Sequence, residues 1–171
     1  MNKDFTKQLL SGLQDVLKPL GYKKSGNNFS FQKNDLVFFI QLQKSMDSDA
    51  DSIKFTINTT ILSVPLFQST QEGKPAYLYS HWFKRIGCYT SPAYDKWWTI
   101  TKETDVLPAL KEVCSIIQST ILPQLESYSL TSDLIKEWEG GICVGLTDGQ
   151  RKTTWKWLKL FENALFRKDI T

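Results

Sequence analysis

The sequence predicts an α+β domain in which an antiparallel meander of about five strands packs with one N-terminal helix and three C-terminal helices. Three observations carry that expectation: a helical apolar period at each end of the chain, two-residue alternation between them, and turn residues where the period changes. A chain of 171 residues can bury roughly two-thirds of its unfolded surface, so one core and one domain, residues 1–171, are expected.

From Phe5, the residues Leu9, Leu10, Leu13, Val16, Leu17 and Leu20 recur at helical spacing, and Pro19 with Gly21 stops the helix. Phe29 and Phe31 then alternate with polar residues up to an Asn34-Asp35 turn. Leu36, Phe38, Ile40 and Leu42 alternate with Val37, Phe39, Gln41 and Gln43, which completes a β-hairpin. After a polar loop, Met46 to Ser52, a third strand turns Ile53, Phe55, Ile57, Thr59 and Ile61 one way and Lys54, Thr56, Asn58 and Thr60 the other. Ser63 to Ser80 contains Pro65, Gly73 and Pro75 without a sustained period and reads as a long loop. Trp82 to Tyr89 and Lys96 to Thr101 read as two further strands.

Beyond Asp105 the period becomes helical again in Val106, Leu110, Val113, Cys114, Ile117 and Ile121. Pro108 is tolerated in the first turn, and Pro123 is expected to end this central helix. Thr131 or Ser132 can cap a short helix to Glu139, closed by Gly140-Gly141. Thr147 and Gln150 have the spacing of a capping box and open a last helix to about Phe166.

Certain strings stand in a characteristic order: Leu20-Gly21-Tyr22-Lys23-Lys24 with Asn28-Phe29, Ile40-Gln41-Leu42-Gln43-Lys44-Ser45, Phe55-Thr56-Ile57-Asn58, Arg85-Ile86-Gly87 and Trp97-Trp98. In order and spacing they resemble the bacterial family catalogued as domain of unknown function 4304 (DUF4304). The resemblance covers roughly the first hundred residues and implies an intracellular α+β domain. None of these strings is a catalytic signature, and the resemblance brings no catalytic residue with it.

Composition narrows the function classes. A net charge of +3, from 21 basic and 18 acidic side chains, is too small an excess to argue for a polyanion partner, so nucleic acid is permitted but not indicated. Lys3, Asp4, Lys7 and Asp15 interrupt the opening apolar residues, unlike a signal peptide, and the longest apolar run, Leu36 to Ile40, is far too short to span a bilayer. Cys88, Cys114 and Cys143 are odd in number and widely spaced, which fits reduced thiols rather than a disulfide framework or a zinc site. Cys114 lies in an apolar helical stripe and reads as a buried hydrophobe. A cytoplasmic protein without membrane insertion is expected.

No pattern calls for a metal or cofactor. His81 is the single histidine, so arrangements that need two are excluded, although its chemistry would allow acid–base work. Asp47, Asp49 and Asp51 open like a calcium loop, but Ser52 and Asn58 stand where glycine and glutamate are needed, and a turn explains the acids. Gly140, Gly141, Gly145 and Gly149 before Arg151-Lys152-Thr153 lack phosphate-loop spacing.

Two surfaces remain. The last helix carries Lys152, Lys156, Lys159 and Arg167 on one side and Trp157, Leu158, Phe161, Ala164 and Leu165 on the other. It reads either as a solvated face or as a salt-sensitive polyanion binder. Gln43, Ser45 and Asn58 fall on polar strand positions, and with Arg85, Trp97 and Trp98 they form either core and loop ties or a binding face rich in directional donors and stacking area. Trp97 and Trp98, being adjacent, point to opposite faces. A non-enzymatic domain that holds a protein or small ligand on that face is the first expectation. An enzyme acting on a phosphate-bearing or nucleic-acid substrate, with Arg85 as clamp and His81 as acid or base, is the alternative.

Overall fold

Period-two alternation makes a two-faced sheet, and in this protein each face is covered by different helices. The computed structural model describes residues 2–49 and 51–140, together with Gly149, Lys152, Trp155, Lys156 and Lys159. The chain opens with α1 (Asn2–Leu17), whose Leu9, Leu10, Leu13 and Leu17 are buried. Gly21 then takes φ +87°, a left-handed turn that glycine adopts without strain, and sends the chain into the sheet.

The strands are β1 (Lys23–Ser25), β2 (Asn28–Lys33), β3 (Leu36–Lys44), β4 (Ser52–Ser63), β5 (Trp82–Arg85) and β6 (Trp98–Thr101). Their pairing is antiparallel in the order β1-β2-β3-β4-β5, with β6 also on β4. The α+β class and the meander are as predicted, with six strands where about five were expected. The additional strand is β1, a short exposed edge whose Lys23, Lys24 and Ser25 have no apolar alternation to reveal it. β5 and β6 take successive stretches of the long β4, residues 58–61 and 52–55. Ile86–Tyr89, expected within a strand, is a 3-10 turn.

In β3 and β4, Phe38 lies opposite Ile61, Ile40 opposite Thr59 and Leu42 opposite Ile57, so these side chains share one face. Against it pack α1, α3 (Leu107–Ile116), α4 (Leu122–Glu126) and Leu134 of α5 (Thr131–Glu139), which together form the main core. Pro123 does not end the central helix as expected. The chain winds through one π turn, Ile117–Ile121, and continues into α4. A proline lacks the N–H and crowds the preceding turn of an α-helix, and a wider turn just before it absorbs both mismatches.

Residues 63–80, predicted as a loop, contain α2 (Val64–Thr70) and a 3-10 turn, Tyr77–Tyr79. Pro65 sits in the first turn of α2, where its missing N–H costs nothing, and Ser63 Oγ accepts the N–H of Leu66 at 3.3 Å. Phe67 of α2 covers Val37, Phe39 and Leu62 on the second sheet face, while Leu66 meets Ile135 and Trp138 of α5, joined by Trp155. α5 starts and stops where predicted but is capped differently. Asp133 accepts the N–H groups of Ser129 and Leu130 at 2.8 and 3.0 Å, and Asp35 accepts the Thr131 hydroxyl at 2.6 Å. Of the expected last helix, Gly149, Lys152, Trp155, Lys156 and Lys159 are helical, whereas Thr147 and Gln150 of its expected capping box, Arg167 and the apolar side from Trp157 onward lie outside the described residues, as does Cys143. Among the described residues, no helix is long and apolar enough to cross a membrane.

Candidate functional site

Register alone brings the centre of the second sheet face together. Asn58 pairs across β4 with Gln41 on one side and with Arg85 on the other, so all three side chains leave the sheet in the same direction. Gln43 follows two residues after Gln41 on that face. α2 and Tyr77 close the apolar end of the face, where Tyr77 meets Phe39 edge-on at 6.4 Å. Beyond them the face turns polar.

Asn58 is almost fully buried, at 2% exposure, and its whole amide is engaged. Its Nδ2 donates toward Gln43 Oε1 at 2.7 Å, Gln41 Oε1 at 3.2 Å and Tyr77 Oη at 3.2 Å. Its Oδ1 accepts from Arg85 Nε at 3.3 Å. Arg85 also donates to Gln43 Oε1 at 3.4 Å and, through Nη1, to Asp95 Oδ1 at 2.7 Å. The guanidinium lies 5.1 Å from the Trp97 ring, and Trp97 Nε1 donates to the other Asp95 oxygen at 3.0 Å. One carboxylate therefore ties a cation to the indole stacked on it. Hydrogen bonds from Arg85 and Trp97 hold the Asp95 carboxyl below its ordinary range, and burial pushes the Tyr77 phenol above its own. Lys54 Nζ sits 5.7 Å from Trp97 and pairs with Asp47 at 2.9 Å.

The segment 86–97 places Asp95 and Trp97. Gly87 O accepts the N–H of Tyr94 at 3.2 Å and the Thr90 hydroxyl at 2.8 Å, and Lys96 O accepts the Thr56 hydroxyl at 2.8 Å. The loop folds back so closely on Gly87 that a Cβ there would stand 2.7 Å from Lys96 N and nearer still to Tyr94 O. No side chain fits, which gives Arg85-Ile86-Gly87 a structural meaning.

Of the residues singled out by sequence, Gln43, Asn58, Arg85 and Trp97 come together, while Ser45 and Trp98 do not join them. Ser45 lies past the end of β3, where its Oγ accepts the Asp47 N–H at 3.1 Å. Trp98 turns into the main core, stacks on Phe55 at 5.5 Å and donates to Glu112 at 2.8 Å. Sequence reasoning missed Gln41, Tyr77 and Asp95. Gln41 is within its reach, since alternation puts it beside Gln43, whereas Tyr77 and Asp95 arrive on irregular segments that have no local signal.

His81 and Arg85 are not convergent. They stand at opposite ends of β5, roughly 13 Å apart at extended spacing. His81 Nδ1 accepts the Ser63 N–H at 3.0 Å, and burial lowers its pKa to about 4, so the lone pair a base would use is already occupied. In the acidic loop, Asp49 Oδ1 accepts the N–H groups of Asp51 and Ser52 at 2.8 and 2.7 Å, a turn-stabilising role. Among the described residues, no group of three His, Cys, Asp or Glu side chains could hold a metal ion. Lys152 and Lys156 are exposed, while Lys159 pairs with Glu139 at 3.0 Å and lies over Trp155. Cys88 is exposed, and Cys114 is half-buried against the main core.

On the helix-covered face, Lys84 donates to Gln124 at 3.1 Å above the Tyr89 ring, Tyr89 meets Thr59 at 2.8 Å and the Tyr128 hydroxyl donates to Glu137. The first of these bonds ties β5 to α4, and the last ties the segment after α4 to α5.

The architecture is therefore an α+β domain with one helix-covered sheet face and one face half given to a polar and aromatic network. A family model, Domain of unknown function (DUF4304), matches residues 13–127, more than half of the chain, and the protein belongs to that family. The match takes in every strand and all of the network. No curated protein and no solved structure matches the chain.

Proposed function

We propose that the protein is a non-enzymatic binding domain that holds a partner on the second sheet face, through Arg85, Gln41, Gln43 and Trp97 around the buried Asn58. The observation that carries this reading is the fixed guanidinium: Arg85 is held by Asn58, Gln43 and Asp95 and stacked under Trp97, yet 27% of its side chain stays exposed. A held arginine beside an indole loses little entropy on binding, and such pairs dominate interface energetics. Ser45 and Trp98 form no part of the proposed surface.

The test is an affinity capture with the tagged chain from source lysate, washed at two salt concentrations, alongside Arg85→Ala and Trp97→Ala. A stoichiometric partner that survives the higher salt and is lost from both folded variants supports the reading. Equal retention by wild type and both variants removes this surface from the binding role.

A further inference from the structure

Four side chains of this face fix one another's orientation, and the order of cause runs outward from Arg85. A guanidinium only donates, so the Arg85 Nε–H requires the carbonyl oxygen of Asn58 to face it at 3.3 Å. The Asn58 NH2 group then faces the other way and needs acceptors, which Gln43 Oε1 supplies at 2.7 Å and Gln41 Oε1 at 3.2 Å. Arg85 Nη2 enforces the same choice on Gln43 by donating to that oxygen at 3.4 Å. Both glutamines thus turn their carbonyls inward and their NH2 groups outward. The outer layer is rich in donors, namely two primary amides, the remaining guanidinium N–H groups and the Lys54 ammonium beside Trp97. Its nearby carboxylates are Asp95, already shared between Arg85 and Trp97, and Asp47, already paired with Lys54.

We infer that this face takes an acidic protein segment, whose Asp or Glu carboxylates and backbone carbonyls accept from Gln41, Gln43 and Arg85 alongside Trp97. The inference rests on the binding-surface reading above and specifies what is bound. A lysine-rich partner would set donor against donor at both outward amides. An apolar partner would bury the outward amides without acceptors. A nucleic acid is favoured by uncompensated cations, and here Arg85 and Lys54 already have Asp95 and Asp47 as partners. Neutral amide donors in a row suit carboxylates and carbonyls.

A Gln→Glu exchange isolates the effect of the outward donors, because it keeps the inward oxygen that Asn58 and Arg85 need and replaces only the outward NH2 by a charged acceptor. The experiment titrates the 15N-labelled full chain, wild type and Gln41→Glu/Gln43→Glu, with four probes. These are a peptide alternating Glu with small residues, its Gln counterpart, its Lys counterpart and a short RNA oligonucleotide. For wild type the Glu peptide is expected to shift the side-chain NH2 signals of Gln41 and Gln43 and the indole N–H of Trp97, with affinity about tenfold or more above the Gln peptide. In the double variant that affinity drops at least tenfold, on the order of one charge-assisted bond, while the Lys peptide gains. Tighter binding of the Gln peptide, the Lys peptide or RNA at the same signals overturns the acidic-segment assignment and leaves the surface standing. Unchanged Glu-peptide affinity in the double variant also overturns it. If no probe moves these signals and the Arg85→Ala capture equals wild type, the inference and the surface reading fall together.

Discussion

Replacing Gly87 by alanine puts a methyl group where the returning loop already runs, and the cost can be worked from the geometry. The new Cβ would stand 2.7 Å from Lys96 N, 3.0 Å from Lys96 Cβ and closest of all to Tyr94 O. Two of these three atoms are backbone, so a change of rotamer cannot relieve the clash. To reach ordinary contact at 3.4 Å, Lys96 N must retreat by about 0.7 Å and Tyr94 O by more. Asp95 and the Lys96 carbonyl must move with them, which puts the 2.7 Å Arg85–Asp95 pair and the 2.8 Å Thr56–Lys96 hydrogen bond at risk. Overpacking of this kind costs about 1–3 kcal/mol, and a lost hydrogen bond adds about 1 kcal/mol. A total of about 2–4 kcal/mol corresponds to a fall in Tm of roughly 5–15 °C for a chain of this size.

Urea unfolding measures the stability, and the Trp97 indole N–H signal reports whether the loop still reaches Asp95. Gly73→Ala is the control. Gly73 has a positive φ, +94°, but a Cβ there meets nothing within 4 Å, so only the backbone strain of about 1–2 kcal/mol is expected. If Gly87→Ala lies within about 0.5 kcal/mol of wild type, with the Trp97 signal unmoved, the loop does not depend on close approach at Gly87 and the reasoning fails.

The adjacent tryptophans should separate cleanly. Trp98→Ala empties a core position against Phe55 and is expected to cost about 3–5 kcal/mol in urea unfolding, while Trp97→Ala should leave the fold within about 1 kcal/mol and act on binding. His81 makes stability depend on pH with a definite sign. Its folded pKa of about 4 lies below the ordinary 6.5, so the unfolded chain binds the extra proton, and stability is full above 6.5 and falls as pH drops toward 4. The loss reaches about 3 kcal/mol at its limit, and His81→Gln, which can still accept the Ser63 N–H, should flatten the slope between pH 6.5 and 4 in denaturation curves. An unchanged slope would assign the pH dependence to other groups. Thr131→Val removes the hydroxyl that joins Asp35 at 2.6 Å and Ser63 at 2.7 Å, and a cost of about 1–3 kcal/mol by urea unfolding is expected, with the buried Ser63 hydroxyl left short of a partner.

How much of the fold is legible in the amino-acid sequence follows the range of the forces involved. β2, β3 and β4 are legible because every second residue, among them Phe38, Ile40 and Leu42 of β3 and Ile53, Phe55, Ile57 and Ile61 of β4, enters the main core. β1 buries nothing and so leaves no such mark. Pro65 reads as a breaker because its tolerance depends on position within the helix, and that position is set by Ser63 capping α2. Pro123 misleads too, since a π turn is a local accommodation with no compositional mark. At the site, Asn58 and Gln43 are legible as polar residues within alternating strands, and Arg85 as a cation in a following strand. Asp95 and Tyr77 depend on how two irregular segments return to the sheet, which is a tertiary outcome.

The second sheet face also bears on why a polar network stands there at all. α2 has seven residues and spans about 10 Å, whereas β4 has twelve and runs about 40 Å. The helix can cover only one end, and the face changes accordingly from Val37, Phe39 and Leu62 to Gln41, Gln43 and Asn58. An uncovered face that meets water alone needs nothing more than long, mobile charged side chains. This one has short amides locked by a guanidinium, with an asparagine buried to 2% exposure. Burying that amide is costly unless every partner is in place, and an apolar residue of similar size would close the sheet with fewer demands. The arrangement contributes rigidity and a fixed outward pattern of donors, the two properties on which the proposed binding role rests.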